Sequence, residues 1–176
     1  MFLENENITL RALEPEDLDS LYEWENSRDL WIHGNTLTPY SRNTLRQYIV
    51  HTQQSDIYES KQLRLIVVLK QGNISIGTID LYDLDVRYKR AGIGIFIEEQ
   101  QRGKGYGFQS LKLMKQYAFD LLQLHQLYAY IPTYNKPSHS LFRKSGYEFS
   151  ALLKDWVVIK GKYTDLNVLQ LINKEE

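Results

Sequence analysis

Short apolar runs alternate with amphipathic stretches along this chain, and their periods predict most of its elements. Ile8 to Leu13 reads as a first strand. Pro15 suits the first turn of a helix, with Glu16 and Asp17 complementing its dipole. Leu18, Leu21 and Tyr22 supply that helix's apolar stripe to about Asn26. Residues 27–41 are irregular and hold Trp31, His33 and Pro39. A second helix is predicted from Arg42 to Gln53, capped by Ser41, with Leu45, Tyr48 and Ile49 inward. Leu63 to Lys70 and Ile74 to Tyr82 read as a hairpin turning at Gln71-Gly72-Asn73. Asp83 to Lys89 is a polar loop or strand start, leading into the apolar run Ala91 to Ile97. Gly107, Leu111, Met114, Ala118 and Leu121 then recur at spacings of three and four, one face of a helix. Gln126 to Ile131 is a strand. A short helix runs from an Asn135 cap to Lys144, with Gly146 as its C-terminal glycine. Glu148–Ile159 and Lys162–Ile172 form a last hairpin around Lys160-Gly161. The order β-α-α-β-β-β-α-β-α-β-β predicts an α+β fold with a mixed, mostly antiparallel sheet.

Between the strand ending at Ile97 and the following helix lies Gln100-Gln101-Arg102-Gly103-Lys104-Gly105-Tyr106-Gly107. A strand, a glycine-rich basic loop and a helix N-terminus make an anion site, because free amides and the positive helix end converge there. The glycines permit close backbone approach to a diphosphate, and Arg102 and Lys104 add charge. The loop matches neither the P-loop nor the dinucleotide fingerprint.

Gln100-x-x-Gly103-x-Gly105 resembles the Q/R-x-x-G-x-G/A signature of the GCN5-related N-acetyltransferases (GNAT), whose loop cradles the pyrophosphate of coenzyme A. About thirty residues on, Asn135-Lys136-Pro137-Ser138 and Leu141-Phe142-Arg143-Lys144-Ser145-Gly146-Tyr147 resemble the family's N-x-x-[AS]-x-x-x-[YF]-x-K-x-G-[FY] segment. The stretch from Ile8 to Leu18 and Gly161-Lys162-Tyr163-Thr164-Asp165 are similar to the RimJ/RimL and spermidine N-acetyltransferase branch. The resemblance implies that the strands ending near Ile97 and Ile131 are parallel neighbours splaying into a V that admits acetyl-coenzyme A as co-substrate. It implies cofactor contacts at Ile95, Phe96 and Ile97, along Arg102, Gly103, Lys104, Gly105, Tyr106 and Gly107, and at Asn135, Ser138 and Phe142. Asn135 equally reads as an N-cap, and Arg143 and Lys144 as solvated helix residues.

Two departures from the family pattern bear on chemistry. Many members donate a proton from a tyrosine where this chain has Phe142. Several carry a glutamate where it has Gly92. Ser138 is the expected general acid, with Ser140, Tyr134, Tyr147 and water as further candidates. Asp80, Asp83, Glu98 and His33 are candidates for relaying a proton through water. With an amine of pKa near 10, about one molecule in 10³ is neutral at pH 7, so a modest relay suffices.

Composition narrows the field. The 176 residues suit one domain spanning 1–176, and 43% hydrophobic against 24% charged residues is an ordinary globular balance. A net charge of −1 argues against a general nucleic-acid face. With no cysteine there is neither thiolate metal site nor cysteine nucleophile. The four histidines (His33, His51, His125, His139) show no metal spacing, so no metal is expected. The acidic N-terminus predicts no signal peptide, and no run is long enough to span a membrane, so a cytoplasmic protein is expected. The leading expectation is an acetyl-coenzyme A dependent N-acetyltransferase acting directly on a small amine, such as a polyamine, or on a protein N-terminus. A homo-oligomer is compatible with this sequence. The alternatives are a catalytically impaired coenzyme A-binding module and a nucleotide-phosphate binder using the same loop. The acceptor is expected along Trp24 to Tyr40 and the hairpin near Trp156.

Overall fold

The computed structural model describes residues 3–27, 30–31 and 38–174. Among these, seven strands form one sheet in the order β1-β2-β3-β4-β5-β7-β6. They are β1 (Ile8–Ala12), β2 (Leu63–Leu69), β3 (Ile74–Asp85), β4 (Arg90–Ile97), β5 (Gln126–Pro132), β6 (Glu148–Ile159) and β7 (Lys162–Ile172). The helices are α1 (Leu18–Glu25), α2 (Arg42–Gln54), the single turn α3 (Ile57–Ser60), α4 (Tyr106–Gln116) and α5 (Lys136–Lys144). A 3-10 turn, Pro15–Asp17, leads into α1. Every neighbouring strand pair is antiparallel except β4 and β5. The mixed α+β sheet expected from the sequence is the one observed.

Alternation along β2 explains the two-sided core. Leu65 and Val67 face one way and join Leu111 and Met114 of α4 and Phe142 of α5. Ile66 and Val68 face the other way and meet Leu21 and Trp24 of α1 and Leu45 and Ile49 of α2. Period two along a strand buried on both faces produces a continuous apolar run, as at Leu65-Ile66-Val67-Val68. Each fully buried aliphatic side chain adds about 1.5–3 kcal/mol of transfer free energy.

The entry to α1 is locked by Asp17, which is 4% exposed. Its carboxylate receives both terminal nitrogens of Arg11, at 2.6 and 2.8 Å, and the Glu14 amide at 2.9 Å. Burial alone would raise its pKa, but the Arg11 and Glu14 bonds outweigh that and hold it below the ordinary aspartate value. A depressed folded pKa adds stability above the unfolded pKa and loses it as pH falls through the folded one. Asp17→Asn should therefore be less stable than the parent at neutral pH. The gap should close in acid below the folded pKa, as read by urea melts at both pH values.

Three local expectations change. The strand from Ile74 was expected to end at Tyr82, with Asp83 to Lys89 a polar loop or strand start, but β3 continues through Asp85 and pairs there with Arg90. The helix face expected to end at Leu121 is broken by a π turn over Tyr117–Leu121. The extra residue per turn rotates Leu121 to 53% exposure and puts Phe119 inward instead. The turn α3 was not expected; its cap is Asp56, which accepts from the Tyr58 amide.

Candidate active site

The site is built where the sheet comes apart. β4 and β5 pair in parallel only over Arg90–Gly92 against Gln126–Tyr128. β4 runs on to Ile97 and β5 to Pro132 without pairing to each other. β4 stays bonded to β3 as far as Ile97, and β5 stays bonded to β7 as far as Pro132. Each strand is therefore anchored on its outer side, and the facing backbone edges form a V. Unpaired main-chain groups at such an edge require a partner. An extended amide-bearing chain such as a pantetheine arm can supply one.

At the mouth of the V, β4 leads through a 3-10 turn into the glycine loop and α4. Gly103 (φ 74°) and Gly105 (φ 84°) are both left-handed, and Gly105 is the N-cap of α4. The amides of Tyr106, Gly107 and Phe108 lie in the first turn, where an α-helix has no acceptor for them. A diphosphate fits this set: oriented N–H groups, the positive helix end and glycine-only backbone at its rim. Gly107 has a different structural reason. A Cβ there would lie 3.3 Å from Leu141 and 3.9 Å from Ile95, so this glycine lets α4 approach α5 and β4.

The two loop cations are engaged within the chain. Arg102 turns back so that its Nε donates to the Ile97 carbonyl at 2.7 Å, with the guanidinium 5.8 Å from the Phe96 ring. Lys104 Nζ donates to Gln101 Oε1 at 2.9 Å. Arg102 therefore orders the strand-to-loop turn and occupies the Ile97 carbonyl, leaving the amides as the most direct anion donors.

On the α5 side, Asn135 caps the helix by accepting from the Ser138 amide at 3.2 Å. Its carbonyl oxygen is thus in use, as the capping alternative required. Ser138 sits half-buried in the first turn of α5. Phe142 is 4% exposed in the core, edge-on to Tyr147 at 5.0 Å. His139 bridges elements, its Nε2 lying 3.3 Å from the Pro132 carbonyl and 3.4 Å from Asn167 Nδ2. Burial first, and neighbouring Lys136 and Arg143 after it, hold its pKa below the ordinary value despite the Pro132 bond. That is a structural histidine.

The candidate proton relays are also distinguished. Glu98 Oε1 accepts the Trp24 indole N–H at 2.7 Å, and Trp24 packs against Phe96 with centroids 5.9 Å apart. Trp24 is thus core rather than a substrate platform. Asp80 is held by Arg64 at 2.6 and 3.1 Å, and Arg64 also reaches Glu25 at 2.5 Å. This triad lies on the α1/α2 face, since Arg64 alternates with Ile66 and Val68 along β2. The sequence analysis missed Arg64. The available signal was a single charge inside the apolar run Leu63 to Leu69, which a buried strand tolerates only when paired. Asp83 is exposed, and His33 lies outside the described residues. Trp31 is half-buried, its indole donating to the Glu25 carbonyl at 2.9 Å. Trp156 is 63% exposed on the β6–β7 hairpin.

A groove of about 490 Å³, lined by residues including Lys115, Asp120, Glu148 and Gln170, lies at the other end of α4. It is remote from the glycine loop. Among the described residues there is no cluster able to hold a metal ion, and no helix long and apolar enough to cross a membrane.

Comparison with known proteins agrees with this geometry. Residues 7–148 match the family model for an acetyltransferase (GNAT) domain. A spermidine N(1)-acetyltransferase of Vibrio cholerae is 25% identical over 172 residues, covering 97% of this chain and 96% of that protein. The crystal structure of spermidine N-acetyltransferase from Vibrio cholerae in complex with CoA and spermine superposes with a TM-score of 0.85 at 25% identity, covering 96% of each chain. A dodecameric structure of the same enzyme in an intermediate state gives 0.81 at 25% identity, covering 98% of this chain and 100% of that one. The splayed β4–β5 pair, the left-handed glycine loop and the family match agree: the chain belongs to the GNAT acetyltransferases and is an acetyl-CoA-dependent N-acetyltransferase of amines.

Proposed function

We propose that the acceptor is a small polycationic amine of the polyamine class. The observation that carries this is the charge of the α1/α2 face. Glu25 and Asp80 together outnumber Arg64, the cation between them. Glu98, which accepts the Trp24 indole N–H, adds a further carboxylate on the α1 side. Such a face favours a cationic ligand and repels an acidic one. The spermidine acetyltransferases among the relatives support the same class.

In this reading the amides of residues 103–108 hold the diphosphate of acetyl-coenzyme A. The inner edge of β4 at Ile95, Phe96 and Ile97 lines its pantetheine arm, and Asn135, Ser138 and Phe142 line the opposite wall. Acetyl transfer needs a neutral amine, a polarised carbonyl and a proton for the departing thiolate. The chain's main contribution is positioning, since holding amine and carbonyl in line removes much of the entropic barrier. With no cysteine nucleophile, the acetyl group passes directly within a ternary complex. Like the dodecameric relative, the chain is proposed to self-associate.

Thiol release from acetyl-coenzyme A, measured across polyamines, amino acids, aminoglycosides and N-terminal peptides, tests this. Spermidine should be consumed, with intersecting double-reciprocal lines. Turnover confined to N-terminal peptides would overturn the acceptor class. Parallel lines with acetylated protein detected by mass would overturn direct transfer.

A further inference from the structure

The N-terminal segment reaches the first turns of α4 through one side chain, Gln109. Residues 3–10 fold back on themselves: the Leu10 amide donates to the Leu3 carbonyl at 2.7 Å and the Asn5 amide to the Ile8 carbonyl at 3.0 Å. The Asn7 carbonyl accepts the Lys70 amide, just past β2, at 2.9 Å, and Lys70 Nζ pairs with Glu4 at 2.8 Å. Asn5 and Asn7 are thus fixed relative to the sheet.

Hydrogen bonding inside this turn decides which way each side-chain amide faces. Asn5 Oδ1 accepts two main-chain N–H groups, from Asn7 at 2.8 Å and from Ile8 at 2.9 Å. A nitrogen in that place would set donor against donor, so Nδ2 is the atom of Asn5 that faces α4. It donates to Gln109 Oε1 at 3.1 Å, and Asn7 Nδ2 donates to the same oxygen at 3.2 Å. The oxygen of Gln109 is thereby held by the N-terminal turn. Its nitrogen, which carries two N–H donors, has to face the other way. A side-chain amide alone admits two orientations. Here two backbone N–H groups leave only one.

What Gln109 Nε2 faces is the rim of the glycine loop. Gln109 stands one turn above Gly105, and its own amide donates to the Gly105 carbonyl at 3.1 Å. Helical side chains tilt towards the helix N-terminus, so a residue here lies over the one four positions before it. A Cβ on Gly105 would be 3.9 Å from Gln109 Nε2. That nitrogen makes no hydrogen bond among the described residues. The amides of Tyr106, Gly107 and Phe108 open the helix at the same Gly105 cap. The cations of the loop are turned elsewhere, Arg102 to the Ile97 carbonyl and Lys104 to Gln101. A neutral donor stands beside the anion site where the charged ones do not.

We propose that Gln109 donates through Nε2 to a diphosphate oxygen of acetyl-coenzyme A, and that Asn5 is the positioning residue that keeps this donor turned to the ligand. The N-terminal turn then takes part in cofactor recognition without touching the cofactor. The residue type follows from both demands. Glutamate would accept from Asn5 and Asn7 equally well but would present an anion to an anion. Lysine would supply charge but could accept from neither asparagine.

The inference rests on the loop amides holding the diphosphate and on nothing about the acceptor amine. Calorimetry with coenzyme A therefore tests it directly, with thermal melting of each variant as the check on folding. Gln109→Ala should weaken binding about 10-fold, the loss of one hydrogen bond to a charged group. Gln109→Glu keeps the size and the asparagine contacts, yet should weaken it about 100-fold, because like charges then meet. Asn5→Asp still accepts from Asn7 and Ile8 but turns an oxygen towards Gln109. The glutamine amide then reverses, and binding should fall about 5-fold. In a Gln109→Ala background the same Asn5→Asp change should matter less than about twofold, since no amide remains to be oriented. In turnover the loss should fall on KM for acetyl-coenzyme A rather than on kcat. Dephospho-coenzyme A, which keeps the diphosphate and lacks the 3′-phosphate, should show the same ratios.

Wild-type affinity in Gln109→Ala or in Asn5→Asp overturns the proposal, as does a loss that vanishes with dephospho-coenzyme A. An Asn5→Asp effect that persists without Gln109 also overturns it, because charge acting at a distance would then explain the change. Loss of binding in Gly105→Val but not in Gln109→Ala would leave the loop reading standing and remove this inference alone. Wild-type affinity in both would remove the loop reading as well.

Discussion

Gly105→Val is expected to abolish measurable coenzyme A binding while the chain stays folded. Gly105 caps α4 at φ 84°, where a β-branched residue is a steric outlier. Left-handed backbone costs an ordinary L-residue about 1–2 kcal/mol, and a branched Cβ adds to that. The loop escapes the strain by changing φ, which turns the amides of residues 106–108 away from their common focus. Gly103→Ala is the matched control. A Cβ there meets nothing within 4 Å, so only the φ penalty remains and binding should weaken far less. Calorimetry should show a loss of at least about 100-fold for Gly105→Val, equivalent to roughly 2.7 kcal/mol. Thermal melting of the same sample should shift by only a few degrees, as about 1–2 kcal/mol implies for a chain of this size. Wild-type affinity in a folded Gly105→Val protein would remove the diphosphate from this loop.

Arg64→Leu should be the most destabilising of the substitutions considered, costing about 3–5 kcal/mol. Arg64 is 18% exposed and lies between Asp80 and Glu25, whose side chains are 18% and 13% exposed. Its aromatic neighbour Tyr48 has its ring 5.6 Å from the guanidinium. Removing the cation leaves two carboxylates facing each other beneath α1, with no counter-charge. That loss is a large share of the roughly 5–15 kcal/mol by which domains are stable. Urea denaturation should show a much lower midpoint with an unchanged slope. The companion Arg64→Leu/Asp80→Leu/Glu25→Gln should recover most of the loss, because no charge is then stranded. Recovery of stability without recovery of polyamine turnover would separate the triad's two effects. A midpoint unchanged by Arg64→Leu would show that water, not Arg64, satisfies these carboxylates.

The strands, the long helices and the glycine loop were legible because each is written in a local period or a local backbone requirement. Ile66 and Val68 against Leu65 and Val67 announce a strand covered on both faces. Gly103 and Gly105 announce positive φ between a strand and a helix. The π turn at Tyr117–Leu121 was not legible, since a continuing apolar stripe is compatible with either helix geometry until packing chooses. The extension of β3 to Asp85 was missed because Asp83 and Asp85 look like loop residues until Arg90 becomes a partner.

The chemical site divides along the same line. The sequence by itself determined the family motif, the cap at Asn135, the absence of a cysteine nucleophile and the absence of side-chain chemistry at Phe142 and Gly92. Only the tertiary structure decided where β4 and β5 cease to pair, because that depends on β3 and β7 holding their outer edges. It alone placed Arg64 between carboxylates 39 positions before and 16 positions after it in the chain. It alone laid Tyr82 across Gly92 and buried the Tyr147 hydroxyl with no hydrogen-bond partner among the described residues. Local sequence specifies which conformations each segment prefers. Which side chains share a volume is a property of the packed chain, and the opening of the V between β4 and β5 belongs to that second kind of fact.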